Sequence, residues 1–284
     1  MYTHTVGNSS RTPHPSGTSH LAVAGEDTAA GRQALAWAAH EATVTGATLT
    51  ICGAFTRSLD ELALTVPAIG ELTAADRIDE VGESGDLVGA LIGLSRLRDL
   101  IIIGAEDAKD VRHRSDASRI AAHSTCPVIV VRSGRRHDAS PYPGHVVVGI
   151  DGTGAGRIAA RFGFAYARTH RLPLVAVHAD THGDPELWYD ERVLETYFAP
   201  VPPLLQMVRD EIENVAARYA EVPVVRAVFG GSPTEALRHA ASGARLLVVG
   251  RHGHRLPPEF RLGSTSAACV AEMPGVLAVV PDGL

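Results

Sequence analysis

Short apolar runs alternate with helical patterns along most of the chain. In the second half, the helical patterns fall at about 155–170, 204–220, 233–243 and 264–273. Continuous apolar runs between helices are typical of strands that are buried on both faces of a parallel sheet. The runs in this half predict strands at about 145–151, 173–179, 222–229, 245–250 and 276–280.

The first half repeats this pattern. The segment from His20 to Thr28 matches the segment from His145 to Thr153, since both contain an apolar run followed by an acid and a threonine. Strands are predicted near 20–25, 47–53, 77–82, 99–104 and 127–131. The stretch from Thr56 to Asp76 contains a proline and a glycine, so we expect no full helix there.

The alternation predicts an α/β fold with two tandem, doubly wound, parallel five-stranded sheets. Right-handed crossovers give each sheet a Rossmann-like topology with the order 3-2-1-4-5. A length of 284 residues also suggests two domains. We place them at 19–132 and 145–284, with a linker at 133–144 and a disordered lead at 1–18.

Charge and cysteine content narrow the class of protein. The formal net charge is −6, so neither nucleic acid nor an anionic membrane is an expected partner, and no apolar run is long enough to span a membrane. Lys109 is the single lysine and is followed by Asp110, which excludes a Walker A loop. Three dispersed cysteines indicate reduced thiols and hence a cytoplasmic protein.

A glycine-rich segment follows the fourth predicted strand of the second half. Glycines would let the backbone approach a ligand, and hydroxyls beside the free N–H groups of a helix start would bind an anion. Arg251 and His252 give the loop a local positive charge. The spacing Gly-x2-Gly-x9-Gly-Ser thus indicates a phosphate site, formed by Gly250, Gly253, Gly263, Ser264, Thr265 and Ser266.

Asp151 follows the first strand of the second half. In the predicted order, this strand and the glycine-loop strand flank the point where ligands bind in open α/β sheets. An acid there suits a ribose hydroxyl or an adenine amino group. Asp151 could instead be a turn or N-cap residue, Ser264 is predicted to be an N-cap in either case, and the glycines could be simple turn formers.

These features together resemble the universal stress protein family. The resemblance rests on the glycine spacing, on the Val-Val-Gly-Ile-Asp-Gly-Thr segment at 147–153, on Gly-Ser-Pro at 231–233 and on Thr-Cys-Pro-Val at 125–128. It covers about 19–132 and 145–282, which implies a tandem member whose final strands, 128–131 and 276–280, meet across a pseudo-two-fold axis.

The resemblance also implies a function. In this family the glycine signature marks members that bind ATP, with or without Mg²⁺, and act as nucleotide-responsive stress or dormancy regulators. Adenosine would face Asp151 and the end of the second strand at Val177 and Ala179, and Thr153 and Val249 would also belong to the nucleotide site. The protein partner is not identified, whether two chains dimerise stays open, and no general base is evident, so no enzymatic activity is assigned.

The first half departs from the glycine pattern. Gly104-Ala105-Glu106-Asp107 replaces Gly-x2-Gly, and Ser115-Asp116 replaces Gly-Ser. Carboxylates at these positions would repel a phosphate. We therefore expect this half to bind nucleotide weakly or not at all.

Two other functions are compatible with the sequence. The chain could be a nucleotide-free interaction scaffold of the same fold, or an adenylating enzyme, although the Ser-Gly-Gly-x-Asp-Ser loop of such enzymes is absent.

The insertion 180–203 contains Trp188, Tyr189, Tyr197 and Phe198. It could pack as an aromatic cluster on the sheet edge, or act as a lid or subunit contact.

Overall fold

A single eleven-stranded sheet runs through the protein, in the order β3-β2-β1-β4-β5-β11-β10-β6-β7-β9-β8. The computed structural model describes residues 19–53, 59–75, 77–81, 86–106, 111–132, 141–193, 201–252 and 262–283. The strands are β1 His20–Ala24, β2 Thr48–Cys52, β3 Ile78–Val81, β4 Leu100–Ala105, β5 Val128–Arg132, β6 Val146–Gly149, β7 Leu174–Asp180, β8 Trp188–Asp190, β9 Val224–Gly230, β10 Leu246–Gly250 and β11 Gly275–Val280.

Helices cover both faces of this sheet. They are α1 Ala29–Thr45, α2 Leu59–Thr65, α3 Pro67–Ala74, α4 Leu87–Leu94, α5 Val111–His123, α6 Gly154–His170, α7 Pro203–Ala216, α8 Pro233–Ala241 and α9 Ser264–Glu272, with a 3-10 turn at Ala217–Tyr219. Two short helices, α2 and α3, lie where no full helix was expected. Pro67 starts the second of them, at a position where a missing N–H is tolerated.

The predicted fold class is confirmed. Each half has five parallel strands in the order 3-2-1-4-5, namely β3-β2-β1-β4-β5 and β9-β7-β6-β10-β11. The two sheets join into one because β11 pairs with β5 in antiparallel fashion, with Leu277 opposite Val130. The expected meeting of the final strands is therefore confirmed, whereas β8, which pairs antiparallel with β9, was not predicted.

The sequence match between the halves reflects two equivalent helix starts. Thr28 caps α1 by accepting a hydrogen bond from the N–H of Gly31 at 2.9 Å. Thr153 caps α6 in the same way, through the N–H of Gly156 at 3.2 Å. A threonine hydroxyl at this position satisfies one of the N–H groups that a helix start leaves without an acceptor.

The core continues across the junction of the two halves. On one face of the sheet a single buried cluster includes Leu35, Ile129, Val148 and Phe164. On the other face, a second cluster likewise contains residues from both halves. Because side chains of both halves share each cluster, burial of apolar surface stabilises the halves as one body.

Two buried polar contacts also cross the junction. Glu41 of α1 and His170 of α6 lie 3.0 Å apart, and their side chains are only 8% and 7% exposed. Arg132, at the end of β5, donates to the carbonyl oxygen of Val270 in α9 at 2.6 Å and to that of Glu106 at 2.7 Å. The helix that opens at the glycine motif is thus bonded directly to the first half.

Candidate functional site

A cavity of about 540 Å³ opens at the carboxyl ends of β6, β7 and β10. β6 and β10 flank the point in the second half where the strand order reverses, which is where open α/β sheets bind ligands. The cavity volume lies within the range of small-molecule sites. The lining residues are Gly149, Ile150, Asp151, Gly156, Val177, His178, Ala179, Thr181, Pro233, Ala236, Leu237, Val249, Gly250, His252, Gly263, Ser264, Thr265 and Ser266.

Most of the predicted site residues line this cavity. They are Asp151, Val177, Ala179, Val249, Gly250, His252, Gly263, Ser264, Thr265 and Ser266. Thr153 and Arg251 are described but are not part of the lining, and Gly253 lies outside the described residues. The folded chain therefore brings together three parts of the sequence, which are Asp151, the end of β7 at Val177 and Ala179, and the predicted residues between Val249 and Ser266.

The start of α9 forms the polar end of the cavity. Gly263 is the N-cap residue, with φ −65° and ψ 153°, and it has no side chain that could cap the helix. The expectation that Ser264 is the N-cap was wrong, because Ser264 is the first helical residue. The first intrahelical bond runs from the N–H of Ala267 to the carbonyl oxygen of Gly263, so the N–H groups before Ala267 point out of the helix end.

The three hydroxyls at the start of α9 differ in their surroundings. Ser266 is buried, and its Oγ donates to the carbonyl oxygen of Gly250 at 2.6 Å. Ser264 is exposed and Thr265 is half-buried. Ser266 thus fixes the helix start against the end of β10, while Ser264 and Thr265 offer hydroxyls beside the helix N–H groups.

Helix packing explains why residue 250 is a glycine. A Cβ at Gly250 would lie 2.9 Å from both the Cβ and the carbonyl oxygen of Ala155 in α6. The equivalent Gly104 is even more restricted, since a Cβ there would lie 2.4 Å from the carbonyl carbon of Ala30. Both halves need this glycine for close contact between a strand end and a helix start, whether or not a ligand binds.

Asp151 has a structural role in the turn before α6. Its Oδ1 accepts hydrogen bonds from the N–H of Thr153 at 3.0 Å and from the Thr153 hydroxyl at 2.6 Å. Such a turn positions Thr153 to cap the helix. The alternative interpretation of Asp151 as a turn residue is thus supported, and the carboxylate still lines the cavity.

The opposite wall of the cavity is apolar. Val177 and Val249 are 2% and 4% exposed, and Ala236 and Leu237 of α8 are also buried. Sequence reasoning missed His178 and Thr181, although both lie beside the predicted Val177 and Ala179 at the end of β7. His178 donates through Nδ1 to the carbonyl oxygen of Ile150 at 2.9 Å, and that contact links β7 to β6.

The two cationic residues of the glycine loop point in different directions. Arg251 turns away from the cavity and donates from Nη1 to the carbonyl oxygen of Ser124, in the first half, at 3.0 Å. Its Nη2 lies 3.7 Å from the carboxylate of Asp282. His252 lines the cavity and is bonded through Nδ1 to the same carboxylate. Arg251 therefore links the two halves rather than facing a ligand in the cavity.

The equivalent place in the first half holds a smaller cavity of about 230 Å³, where Glu26, Asp86 and Asp116 are among the lining residues. Glu106, which corresponds to His252, reaches the start of α1 and accepts a hydrogen bond from the N–H of Ala30 at 3.2 Å. An internal carboxylate therefore takes a helix N–H group that an external anion could use. Lys109, Asp107 and Asp110, which entered the expectation for this half, lie outside the described residues.

The aromatic insertion packs on the edge of the sheet where the structure describes it. Trp188 of β8 stacks on Phe229 of β9 with ring centroids 5.4 Å apart, and Tyr142 contacts both rings edge-on. The Tyr142 hydroxyl donates to the buried carboxylate of Asp190 at 3.0 Å. These contacts favour the cluster interpretation over a lid, although Tyr197 and Phe198 lie outside the described residues.

Neither a metal site nor a membrane-spanning helix occurs in the described ranges. Within the described ranges, no three His, Cys, Asp or Glu side chains converge as they would around a metal ion. None of the helices in these ranges is long and apolar enough to cross a membrane. All three cysteines are buried.

Comparison with known proteins points to one family. Residues 144–281 match the Universal stress protein family. A universal stress protein of Mycobacterium tuberculosis H37Rv is 31% identical over 214 residues, which cover 70% of this chain and 64% of that protein. A second one from the same strain is 28% identical over 200 residues, covering 67% and 65%. The chain thus spans slightly less than two thirds of the length of these curated relatives.

Solved structures support the fold. A universal stress protein from Archaeoglobus fulgidus superposes with a TM-score of 0.61 at 14% identity, covering 92% of this chain and 96% of that chain. The cytoplasmic domain of a prokaryotic cation chloride cotransporter superposes with a TM-score of 0.54 at 12% identity, covering 94% and 96%. At such low identities, the likeness establishes the architecture and not the ligand.

Proposed function

Because residues 144–281 match the Universal stress protein family, we propose that this chain binds an adenine nucleotide, and foremost ATP, in the cavity of its second half. The nucleotide would regulate a cytoplasmic stress or dormancy response through a protein partner. The first half would bind no nucleotide and would act as a structural partner of the second.

This proposal rests on one observation, which is that one side of the cavity is apolar and the other side is polar. The apolar wall formed by Val177, Val249 and Leu237 suits the face of a planar base. On the other side, the N–H groups and hydroxyls of Ser264 and Thr265 suit phosphate oxygens. The start of a helix attracts an anion through both its free N–H groups and its dipole.

This proposal assigns no phosphate contact to Arg251 and no protein ligand to Mg²⁺. Arg251 is engaged with Ser124 and Asp282, so the phosphates would rely on backbone N–H groups, hydroxyls and His252. Mg²⁺ would come bound to the phosphates, since the described residues do not form a metal cluster by themselves. A general base aimed at an attacking water is not part of the proposal, which is one of binding.

Calorimetric titration with ATP, ADP, AMP and adenosine tests the proposal. Gly263→Leu places a bulky side chain at the buried N-cap of α9, so we expect at least a hundredfold loss of ATP affinity. Gly93→Leu is the matched control, because a Cβ at Gly93 meets no atom within 4 Å. Unchanged ATP affinity in a folded Gly263→Leu protein would refute the site, and equal ATP binding by both halves would refute the role of the first half.

A nucleotide-free scaffold is the second candidate. It is favoured by the structural roles of Gly250 and Asp151, which account for two motif residues without any ligand. The two candidates differ in what purified protein carries. Denaturation of freshly purified protein should release adenine nucleotide if the first proposal holds, and neither released nucleotide nor a calorimetric signal would favour the scaffold.

A further inference from the structure

His252 and Asp282 form a pair at the edge of the cavity. Asp282 follows the last strand, β11, after Pro281, and the N–H of Arg251 donates to the carbonyl oxygen of Val280 at 2.8 Å. This backbone contact holds the end of the chain beside the glycine loop. As a result, the carboxylate of Asp282 bonds to Nδ1 of His252.

The other ring nitrogen of His252 has no hydrogen-bond partner among the described residues. Nε2 is buried and makes no hydrogen bond to any of the described residues. A buried polar atom without a partner costs free energy, and such atoms in native proteins call for an explanation. Because Nδ1 is committed to Asp282 and the ring lines the cavity, Nε2 is the nitrogen left for a ligand.

Comparison of the two halves indicates the chemical class of the ligand that Nε2 of His252 would contact. Glu106 occupies the position of His252 in the first half, and its carboxylate accepts from the N–H of Ala30 at the start of α1. The corresponding position in the second half is occupied by His252 instead of a carboxylate. A doubly protonated imidazole has two donors and no acceptor. The second half thus lacks an internal carboxylate at this position and has there a side chain that can donate to an external anion.

We propose that Asp282 is a positioning residue, which orients His252 so that Nε2–H donates to a phosphate oxygen of the bound ligand, next to the N–H groups of Ser264 and Thr265. This inference rests on the proposed nucleotide site and adds to it a determinant of selectivity. The site would favour phosphorylated ligands over the bare nucleoside through a residue that lies outside the glycine spacing.

Arg251 makes the position of Asp282 more secure. The guanidinium lies 3.7 Å from the Asp282 carboxylate and is itself held by the carbonyl oxygen of Ser124. Asp282 therefore lies between two side chains from the glycine loop, one pointing to the first half and one lining the cavity. Replacing the carboxylate by an amide would leave the size of the side chain unchanged and remove its charge.

Affinities for ATP, pyrophosphate and adenosine test the role of Asp282. We expect Asp282→Asn and His252→Gln each to weaken ATP and pyrophosphate binding about tenfold or more and to leave adenosine binding unchanged. Asp282→Glu should recover most of the loss, because a carboxylate is restored. His123→Gln is the matched control, since His123 is an exposed histidine of α5 that bonds to the carbonyl oxygen of Arg119.

A second measurement keeps this inference separate from the proposed function. In protein labelled with ¹⁵N at histidine, pyrophosphate should shift the ring-nitrogen resonances of His252 in the wild-type chain and not in Asp282→Asn. A pyrophosphate response at His252 without binding of ATP or adenosine would overturn the nucleotide proposal and support the phosphate contact. An unperturbed His252, or equal losses of ATP and adenosine affinity in Asp282→Asn, would overturn the role of Asp282.

Discussion

The buried pair of Glu41 and His170 predicts a measurable coupling between the two halves. The carboxylate and the imidazole lie 3.0 Å apart at 8% and 7% exposure, and the ring of Tyr166 stacks on His170 with a centroid distance of 4.1 Å. Burial, and then the charge of Glu41, raise the pKa of the Tyr166 hydroxyl above its usual value. A substitution at Glu41 therefore changes the surroundings of two side chains in the second half, His170 and Tyr166.

The size of the effect follows from how the pair is buried. Removing one partner of a buried, bonded pair leaves the other side chain unpaired, which costs about 3–5 kcal/mol where that side chain is charged, whereas replacing both by apolar groups is often neutral. We expect His170→Phe, which preserves a ring against Tyr166, to cost about 3 kcal/mol. Glu41→Leu should cost about 2 kcal/mol, because it leaves the buried imidazole without its hydrogen-bond partner.

Urea unfolding of the wild type, both single variants and the Glu41→Leu/His170→Phe double variant measures this coupling. The double variant should lose only about 2 kcal/mol, so the coupling energy of the cycle is about 3 kcal/mol. Asp27→Asn is the control, because Asp27 pairs with Arg32 in a contact where both side chains are nearly half exposed, and such pairs contribute under about 1 kcal/mol. Additive losses in the double variant would refute the reasoning.

Three further predictions concern the strand ends, the thiols and the sheet edge. Gly104→Ala and Gly250→Ala should each lower the free energy of unfolding by about 1–3 kcal/mol, with the larger loss at Gly104, and wild-type thermal stability would contradict the packing role. Burial raises the pKa of the Cys269 thiol to about 12, so it should resist maleimide at pH 8 until the protein unfolds. Because the unfolded thiol titrates near pH ~8.5, its contribution to stability should be full below that pH and decline as the pH rises through the folded value. Burial would raise the pKa of Asp190, but hydrogen bonds led by that from Arg192 lower it overall, so Asp190→Asn should cost about 1–3 kcal/mol at neutral pH and little below the folded pKa, as urea unfolding across pH would show.

The strands could be placed from the sequence to within about two residues at each end, because continuous apolar runs are distinctive when both faces of a sheet are buried. β8 was missed for the opposite reason. It is three residues long, and its pairing with β9 depends on the stacking of Trp188 on Phe229 and on the bond from Tyr142 to Asp190. These are contacts between distant segments, which a local pattern does not contain.

The candidate site likewise contains residues that the sequence predicts and residues whose roles depend on distant segments. The glycine spacing and the position of Asp151 after a strand were sufficient to predict seven of the eighteen residues that line the cavity, and the family resemblance added Val177, Ala179 and Val249. The role of Arg251 could not be predicted, since its partner, Ser124, lies in the other half of the chain. His178 and Thr181 could have been found, because the end of β7 was already placed at the site.

The antiparallel pairing of β5 with β11 forms within one chain an interface that would otherwise require the association of two separate subunits. Two fragments, one ending at Arg132 and the other beginning at Pro141, would have to find each other by diffusion before these strands could pair. Within one polypeptide the same encounter occurs at a local concentration on the order of millimolar. The junction should therefore persist at any dilution inside a cell, and the contacts from Arg132 and Arg251 across it would not depend on how much protein is made.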